Sequence, residues 1–281
     1  MATHDFQYDA IVIGGGPAGL QATLTLARVH RRVLMLDSGH YRNDPADHMH
    51  NVVTHDGTPP ADFRKVAREQ IAAYDTATIW EDTVAYVEAD GDGFRVGLDD
   101  PEDSVVTARG LVLATGVRDT LPDKPGLAEL FGSAVAHCPF CHGHEFAGRP
   151  VAVLGDPGHL AGIMSPVASS VTGLDPETVA RFVPSGDGAR VVFTDGSTAD
   201  FGGVFDKPTF EQSAPFAEQL GLTMLPSGCV EVDVMGRTSL PGVHAAGDMA
   251  HVAALPMPMA SVMTAAASGQ VAAASMVALL L

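Results

Sequence analysis

At 281 residues, 46% of them hydrophobic, the chain carries enough apolar material for about two domains with cores of their own. Its 16 Lys and Arg against 34 Asp and Glu give a formal charge of -18, which argues against nucleic acid, anionic membranes and strongly acidic partners and suits neutral or cationic small molecules. The opening MATHDFQYDA carries acids and no basic start, so no secretory signal and a cytoplasmic location are expected, where a CxxC is more often catalytic than structural.

Residues 9–13 read as a buried parallel strand that breaks into Gly14, Gly15, Gly16, Pro17, Ala18 and Gly19, followed by the helical run LQATLTLARVH. This is G-x-G-x-x-G in its strand–turn–helix setting. Gly14 permits the tight turn, Gly16 lets the backbone approach a pyrophosphate, Gly19 allows close helix–strand packing, and the helix start faces the anion. The next strand, RVLMLD, ends at Asp37, where an acid can bind ribose hydroxyls. The stretch from Ser38 to Phe63, dense in His, Asn, Asp and Pro, has no helical or strand period and reads as a loop over the site. Its Arg42, Asn43, His50 and Asp56 are candidates to touch a cofactor, each set against the plainer reading of a polar loop residue.

Ala61 to Tyr74 reads as an amphipathic helix, and Thr83 to Gly97 as alternating strands of a small sheet. The strand RGLVLATGV then ends in Ala114, Thr115 and Gly116, small residues that admit a bound ligand near the backbone. Pro122 and Pro125 mark a crossover.

Residues 137–145, HCPFCHGHE, hold two of the three cysteines. Three positions apart, Cys138 and Cys141 can close a small disulfide ring or act as a dithiol, and a neighbouring imidazole can stabilise a thiolate or move its proton. Three other readings compete. Cys138, Cys141, His142 and His144 are zinc-ligand types, but packed too closely for one tetrahedron. CPFCH matches the c-type haem attachment pattern, which needs export. Two cysteines can also simply pack.

A second strand, PVAVLG, repeats the first, but its turn is GDPGHLAG, with Pro157 in the middle glycine position, where it removes an N–H and adds bulk against a phosphate. The following helix is broken by Pro166, and the next strand offers no evident ribose acid or basic cluster, so this pocket reads as eroded. Residues 177–206 read as strands joined by SGDG and TDGST. The chain crosses back near Lys207-Pro208, and Phe210 to Leu220 reads as helical. Cys229 reads as a small buried hydrophobe. Thr238 to Asp248 gives a strand ending at Gly247 and Asp248, an acid suited to a sugar-like chain. The helix from Ser261 would aim its N–H groups at an electron-rich ring carbonyl. Mostly alanine with polar interruptions, it reads as a packed globular helix rather than a membrane span. Met257 and Met259 before it read as core filling or as the lining of an apolar pocket.

With GGGPAG near the start, ATG in the middle, CxxC after it and AAGD near the end, the chain resembles the low-molecular-weight thioredoxin reductase family over essentially its full length. RN…H…DGTPP together with CPFCHGHE looks most like the FAD-dependent dithiol oxidases that close disulfides in natural products, such as the gliotoxin and holomycin enzymes. The resemblance implies an α/β, two-domain FAD/NAD(P)-type three-layer Rossmann-like fold with a reduced second nucleotide-binding domain. Residues 1–118 and 209–281 would form a discontinuous FAD domain, and 119–208 the CxxC-bearing domain. It further implies a homodimer, a small-molecule dithiol substrate and O2 as electron acceptor.

By that similarity, Gly14, Gly16, Pro17, Ala18, Gly19 and Asp37 hold the ADP half of FAD, Asp248 beside Gly247 the ribityl chain, while Cys141 meets the flavin and Cys138 exchanges with substrate. Reductases of the family carry an acid after the second cysteine. Here it is His142, which passes the proton work to an imidazole, with His137 as the alternative and His144 structural. No metal is called for. The rival expectation is a thioredoxin or disulfide reductase fed by NADPH or ferredoxin, against which the eroded turn and the acidic charge both speak. A third is a flavoprotein whose CxxC only senses redox state.

Overall fold

The computed structural model describes residues 6–281. The reading of the extreme N-terminus falls largely on residues 1–5, outside the described residues. In chain order the elements are β1 (Tyr8–Ile13), α1 (Pro17–Arg28), β2 (Val33–Leu36), α2 (Pro60–Ile71), β3 (Ala77–Trp80), β4 (Val84–Asp90), β5 (Gly93–Leu98), β6 (Val105–Leu113) and β7 (Val117–Thr120). There follow α3 (Leu127–Leu130), β8 (Val135–Ala136), α4 (Pro139–His142), β9 (Pro150–Leu154), α5 (Gly158–Met164), β10 (Ser170–Leu174), β11 (Val179–Ser185), β12 (Gly188–Phe193), β13 (Thr198–Phe201) and β14 (Gly203–Phe205). The chain closes with β15 (Thr209–Gln212), α6 (Phe216–Gln219), β16 (Val230–Glu231), β17 (Val243–Ala245), β18 (Ala250–His251) and α7 (Val262–Leu279).

Two compact units result. The first comprises Met1–Arg42, Asp62–Arg118 and Glu211–Leu281, the second Asn43–Ala61 and Asp119–Phe210. The loop Asn43–Ala61, kept in the first domain by the sequence reading, groups with the second unit. There Met49 and Thr58 form a β-bridge, and Gly132 lies so close to the Pro45 carbonyl that a Cβ would collide with it.

Among the described residues, the first unit is built on a sheet ordered β3-β2-β1-β6-β5-β4, with β17 also paired to β6. β1, β2, β3, β6 and β17 run parallel, and β1 and β2 are apolar and buried through most of their length, as strands covered on both faces must be. The small sheet expected at 83–97 is instead part of this sheet. β6 is nine residues long, so one edge has room for β5 against Val105–Ala108 and for β17 against Leu111–Leu113.

α1 and α7 pack on one face through small residues. Gly269 comes so near the Ala18 carbonyl that a Cβ there would collide, and Ala265, Ala272, Ala273 and Met276 of α7 are buried. By length and composition α7 is apolar enough to cross a membrane, but this face is committed to α1 and to the core that Ala10, Val12 and Leu26 share with it. The other side leaves Met263 and Val271 partly exposed.

The second unit carries a parallel sheet, β10-β9-β14-β8, and an antiparallel one, β11-β12-β13. β9 and β10 repeat the parallel pairing of β1 and β2, but the helix between them has 7 residues against 12 in α1. Two expectations are corrected beyond it. Only Phe216–Gln219 of the stretch 210–220 is helical, since β15 occupies its start and Pro215 stands immediately before the turn. Met257 and Met259 are 45% and 67% exposed and fill no core.

β17 carries a buried group with a consequence for stability. His244 is 1% exposed, neither ring nitrogen has a partner, and burial, helped by the Arg237 charge, pushes its pKa down to about 4. Above the ordinary value of 6.5 neither folded nor unfolded chain protonates here; below it only the unfolded chain gains the proton, until the folded pKa is reached. From this group the protein should lose about 2 kcal/mol of unfolding free energy between pH 7.5 and pH 5. In urea unfolding at the two pH values, His244→Leu should remove that increment, and an unchanged pH dependence would contradict the assignment.

Candidate active site

In the first unit the turn after β1 is shaped by close approaches. Gly14 has φ +112° and presses on the Ala114 carbonyl, and Gly19 lies against the Gly14 carbonyl; a Cβ at either would collide. Gly16 differs, because a Cβ there would meet nothing within 4 Å. Gly16 is also the N-cap of α1, Pro17 opens the helix, no side chain caps it and its first turn holds no acid. The first-turn N–H groups of this 12-residue helix thus have no side-chain cap, and Gly16 beside them borders open space, which is the chemistry of an anion cradle.

Asp37, directly after β2, packs beside this turn at 2% exposure. Its Oδ1 accepts the Gly39 N–H (3.1 Å) and its Oδ2 the Tyr41 hydroxyl (2.6 Å) and an ion pair from Arg68. A carboxylate offers about four lone-pair sites, so roughly one remains for a ribose hydroxyl. Arg64 stacks over the Tyr41 ring at 3.7 Å, and burial together with the Asp37 hydrogen bond pushes the Tyr41 hydroxyl pKa up. Arg64, Arg68 and Tyr41 were not among the expected residues. α2 declares itself only as amphipathic, and nothing local ties it to Asp37.

Thr115 and Gly116 follow β6, and Gly247 and Asp248 follow β17, so all these residues gather at the carboxyl ends of parallel strands. Thr115 lies 3.4 Å from the Met249 sulfur, and Asp248 forms an ion pair with Arg42 at 2.8 Å, both side chains 20% exposed. The buried Cys229 has its sulfur 3.6 Å from the Asp248 carbonyl, and burial raises its pKa, which keeps it a neutral thiol. The open cradle at Gly16, the uncapped helix and the carboxylates of Asp37 and Asp248 fit a dinucleotide cofactor with a pyrophosphate between two hydroxylated chains, a class that includes FAD.

In the second unit the strand ends hold the sulfurs. β8 leads through His137 to Cys138, which stands at the N-cap of α4 and is disulfide-bonded to Cys141 with their Cα atoms 5.3 Å apart. His137 is exposed, its ring stacked on Phe131 at 6.0 Å, and Phe140 between the cysteines is 66% exposed. His142 is more enclosed. Its Nε2 is 3.2 Å from the Gly132 carbonyl, which can only accept, so in the neutral ring Nε2 carries the hydrogen and Nδ1 the lone pair. That Nδ1 is buried with no partner, and burial lowers the pKa of the ring, opposed by the Gly132 carbonyl and the Glu145 charge and assisted by His50.

His50 stands between Asp56 (3.6 Å) and Glu145 (3.4 Å) in this same unit, and Asn43 also belongs to it. His144 is exposed. Asp206, not singled out in sequence, follows β14 with its N–H on the Ala136 carbonyl; it is 6% exposed, its Oδ2 has no partner, and burial raises its pKa.

The second glycine turn spends a donor on its own side chain: Asp156 Oδ1 accepts the Gly158 N–H at 2.9 Å, and Pro157 is the N-cap and has no N–H to give. A D-x-G spacing is the sequence signal for such a turn, and it was missed. The expectation of no acid after the next strand is also corrected. β10 runs into Asp175, in the place that Asp37 takes after β2, but the Asp175 side chain accepts the Glu177 N–H at 3.0 Å and caps the following turn.

Comparisons with known proteins agree with this geometry. The sequence model of the pyridine nucleotide-disulphide oxidoreductase family matches residues 8–156 and 168–272, and its interruption spans the Pro157 turn and α5. "Thioredoxin reductase tcpT" of Claviceps purpurea is 36% identical over 277 residues, covering 85% of this chain and 86% of that one. "Thioredoxin reductase sirT" of Leptosphaeria maculans is 32% identical, covering 89% of each. The match to a "Probable thioredoxin reductase" of Arthroderma benhamiae is 42% identical but spans 56% of this chain and only 40% of that protein. Among solved structures, an oxidoreductase from Agrobacterium tumefaciens superposes with TM-score 0.87 at 30% identity (97% and 98% covered), and HlmI with 0.87 at 31% (99% and 94%). The chain belongs to the pyridine nucleotide-disulphide oxidoreductase family, as an FAD-binding, thioredoxin-reductase-like oxidoreductase.

Proposed function

We propose that the protein oxidises a small-molecule dithiol to its disulfide through the Cys138–Cys141 pair, with O2 as final acceptor. One observation carries this reading: in the second glycine turn, where a hydride donor would bind, the Gly158 N–H is spent on Asp156 and Pro157 supplies no N–H, while the sulfur pair and the uncapped helix start of the first turn are both present. Without a hydride source, electrons must enter from thiols.

The chemistry balances on this chain's own groups. A substrate thiolate attacks Cys138, forming a mixed disulfide and releasing Cys141 as a thiolate. The second substrate thiolate then attacks the substrate sulfur, closing the product disulfide and releasing Cys138. Two protons leave the substrate, and the unpaired Nδ1 of His142, neutral because the ring is buried, is the base suited to take one. Bound FAD supplies a two-electron acceptor able to pass the pair to O2 as hydrogen peroxide. Gly14, Gly16, Pro17, Ala18, Gly19 and Asp37 would hold its ADP half, Asp248 its ribityl chain, with Ala114, Thr115 and Gly116 alongside. The exposed Phe140 supports a small organic substrate rather than a polar one.

The relatives' names, thioredoxin reductases, favour a second reading, reduction of a disulfide, which would need a hydride donor such as NADPH. The Asp156 carboxylate opposes it. The proposal further includes a cytoplasmic homodimer; the partly exposed apolar side chains of α7, Met263 and Val271, support the pairing.

Two measurements follow. In an oxygen electrode with dithiothreitol, the wild-type protein should take up O2 continuously with one peroxide per disulfide, and Cys138→Ser or Cys141→Ser should each lower the rate at least about 100-fold. Uptake that persists in either variant contradicts the shuttle. The lowered His142 pKa keeps the ring neutral to more acidic pH, so the acid limb of kcat/KM should lie below the ordinary histidine value of 6.5. His142→Gln should abolish that limb and cost about 100-fold, whereas a retained limb would assign the base elsewhere.

A further inference from the structure

Gln212 stands at the end of β15, outside every motif discussed above, yet it joins the segments that follow β6 and β17. Its Nε2 donates to the Gly228 carbonyl at 2.8 Å and to the Met249 carbonyl at 3.1 Å. Both partners can only accept, so this atom is the amide nitrogen and the other is the oxygen. That Oε1 is buried and has no partner. A buried amide oxygen without a donor is destabilising, and that cost is relieved when a ligand brings the donor.

The surroundings indicate which ligand. Met249 follows Asp248 directly and its sulfur meets Thr115. Ser213, next to Gln212, donates its N–H to the Gly116 carbonyl at 3.2 Å, and Gly116, at φ +69°, faces open space. The orphaned oxygen thus belongs to the junction of Thr115-Gly116 with Asp248-Met249, away from the Gly16 cradle in sequence and role. The flavin half of FAD carries donors suited to it, the ribityl hydroxyls and the ring N–H.

We infer that Gln212 is a cofactor-positioning residue whose side-chain oxygen accepts a hydrogen bond from the flavin half of FAD. The inference rests on the reading that Asp248 faces the ribityl chain. Its amide nitrogen meanwhile fixes the Gly228 and Met249 backbones, so one side chain both shapes this pocket and recognises its occupant.

The test uses the full-length protein freed of flavin, titrated with FAD, riboflavin and ADP. Gln212→Leu should bind FAD and riboflavin about tenfold more weakly, while ADP, which probes the Gly16 cradle and Asp37 but not the flavin half, should bind as in the wild type. Should the leucine variant not fold, Gln212→Met, of similar volume, is titrated in its place. Unchanged affinity for all three ligands overturns the inference and leaves the FAD assignment standing. Equal weakening of all three overturns it too, because Gln212 then acts only on the fold. A wild-type protein that binds ADP but neither flavin would remove the underlying reading along with it.

Discussion

The structure depends on what two of its helix N-termini, those of α1 and α5, do with their unpaired N–H groups. At α1 no side chain caps them and Gly16 borders open space, so the positive end of the helix is available to an anion. At α5 the Gly158 N–H is already taken by Asp156, and the negative charge occupies the turn itself. Two topologically similar β-α-β units therefore differ at their helix starts, one uncapped and the other capped by its own carboxylate, and the proposed direction of electron flow rests on that difference.

The open cradle requires its surroundings to be drawn in tightly. Gly14, Gly19 and Gly269 let the ends of β1 and β6 and the helices α1 and α7 approach to backbone contact, and each would collide if it carried a Cβ. This compaction brings Asp37, Thr115, Gly116 and Asp248 to one set of strand ends. In the second unit the strand ends carry the sulfur pair instead. Cys138 follows β8, Asp206 follows β14, and His142 keeps a buried, unpaired ring nitrogen.

The parts legible in sequence are those written in short-range pattern. The glycine turn between β1 and α1, the acid after β2 and the pairing of the two cysteines depend on residues only a few positions apart, and as local structure they appear where the pattern puts them. What escaped involves partners distant in the chain. Arg68 on Asp37 and Glu145 on His50 cannot be read from spacing, and they surround both acceptors and bases with charges that a linear reading leaves out. β4 and β5 passed for a separate sheet because only the length of β6 reveals that one edge has room for two neighbours. Met257 and Met259 passed for core residues because composition alone does not tell an apolar surface from an apolar interior.

Whether electrons enter through the Cys138–Cys141 pair or from a pyridine nucleotide can be read at the flavin absorption band when the FAD-loaded protein is mixed anaerobically with each donor. Dithiothreitol alone should bleach the band, colour should return with peroxide when air is admitted, and NADPH should leave the band unchanged. Rapid bleaching by NADPH would contradict the proposed direction of electron flow.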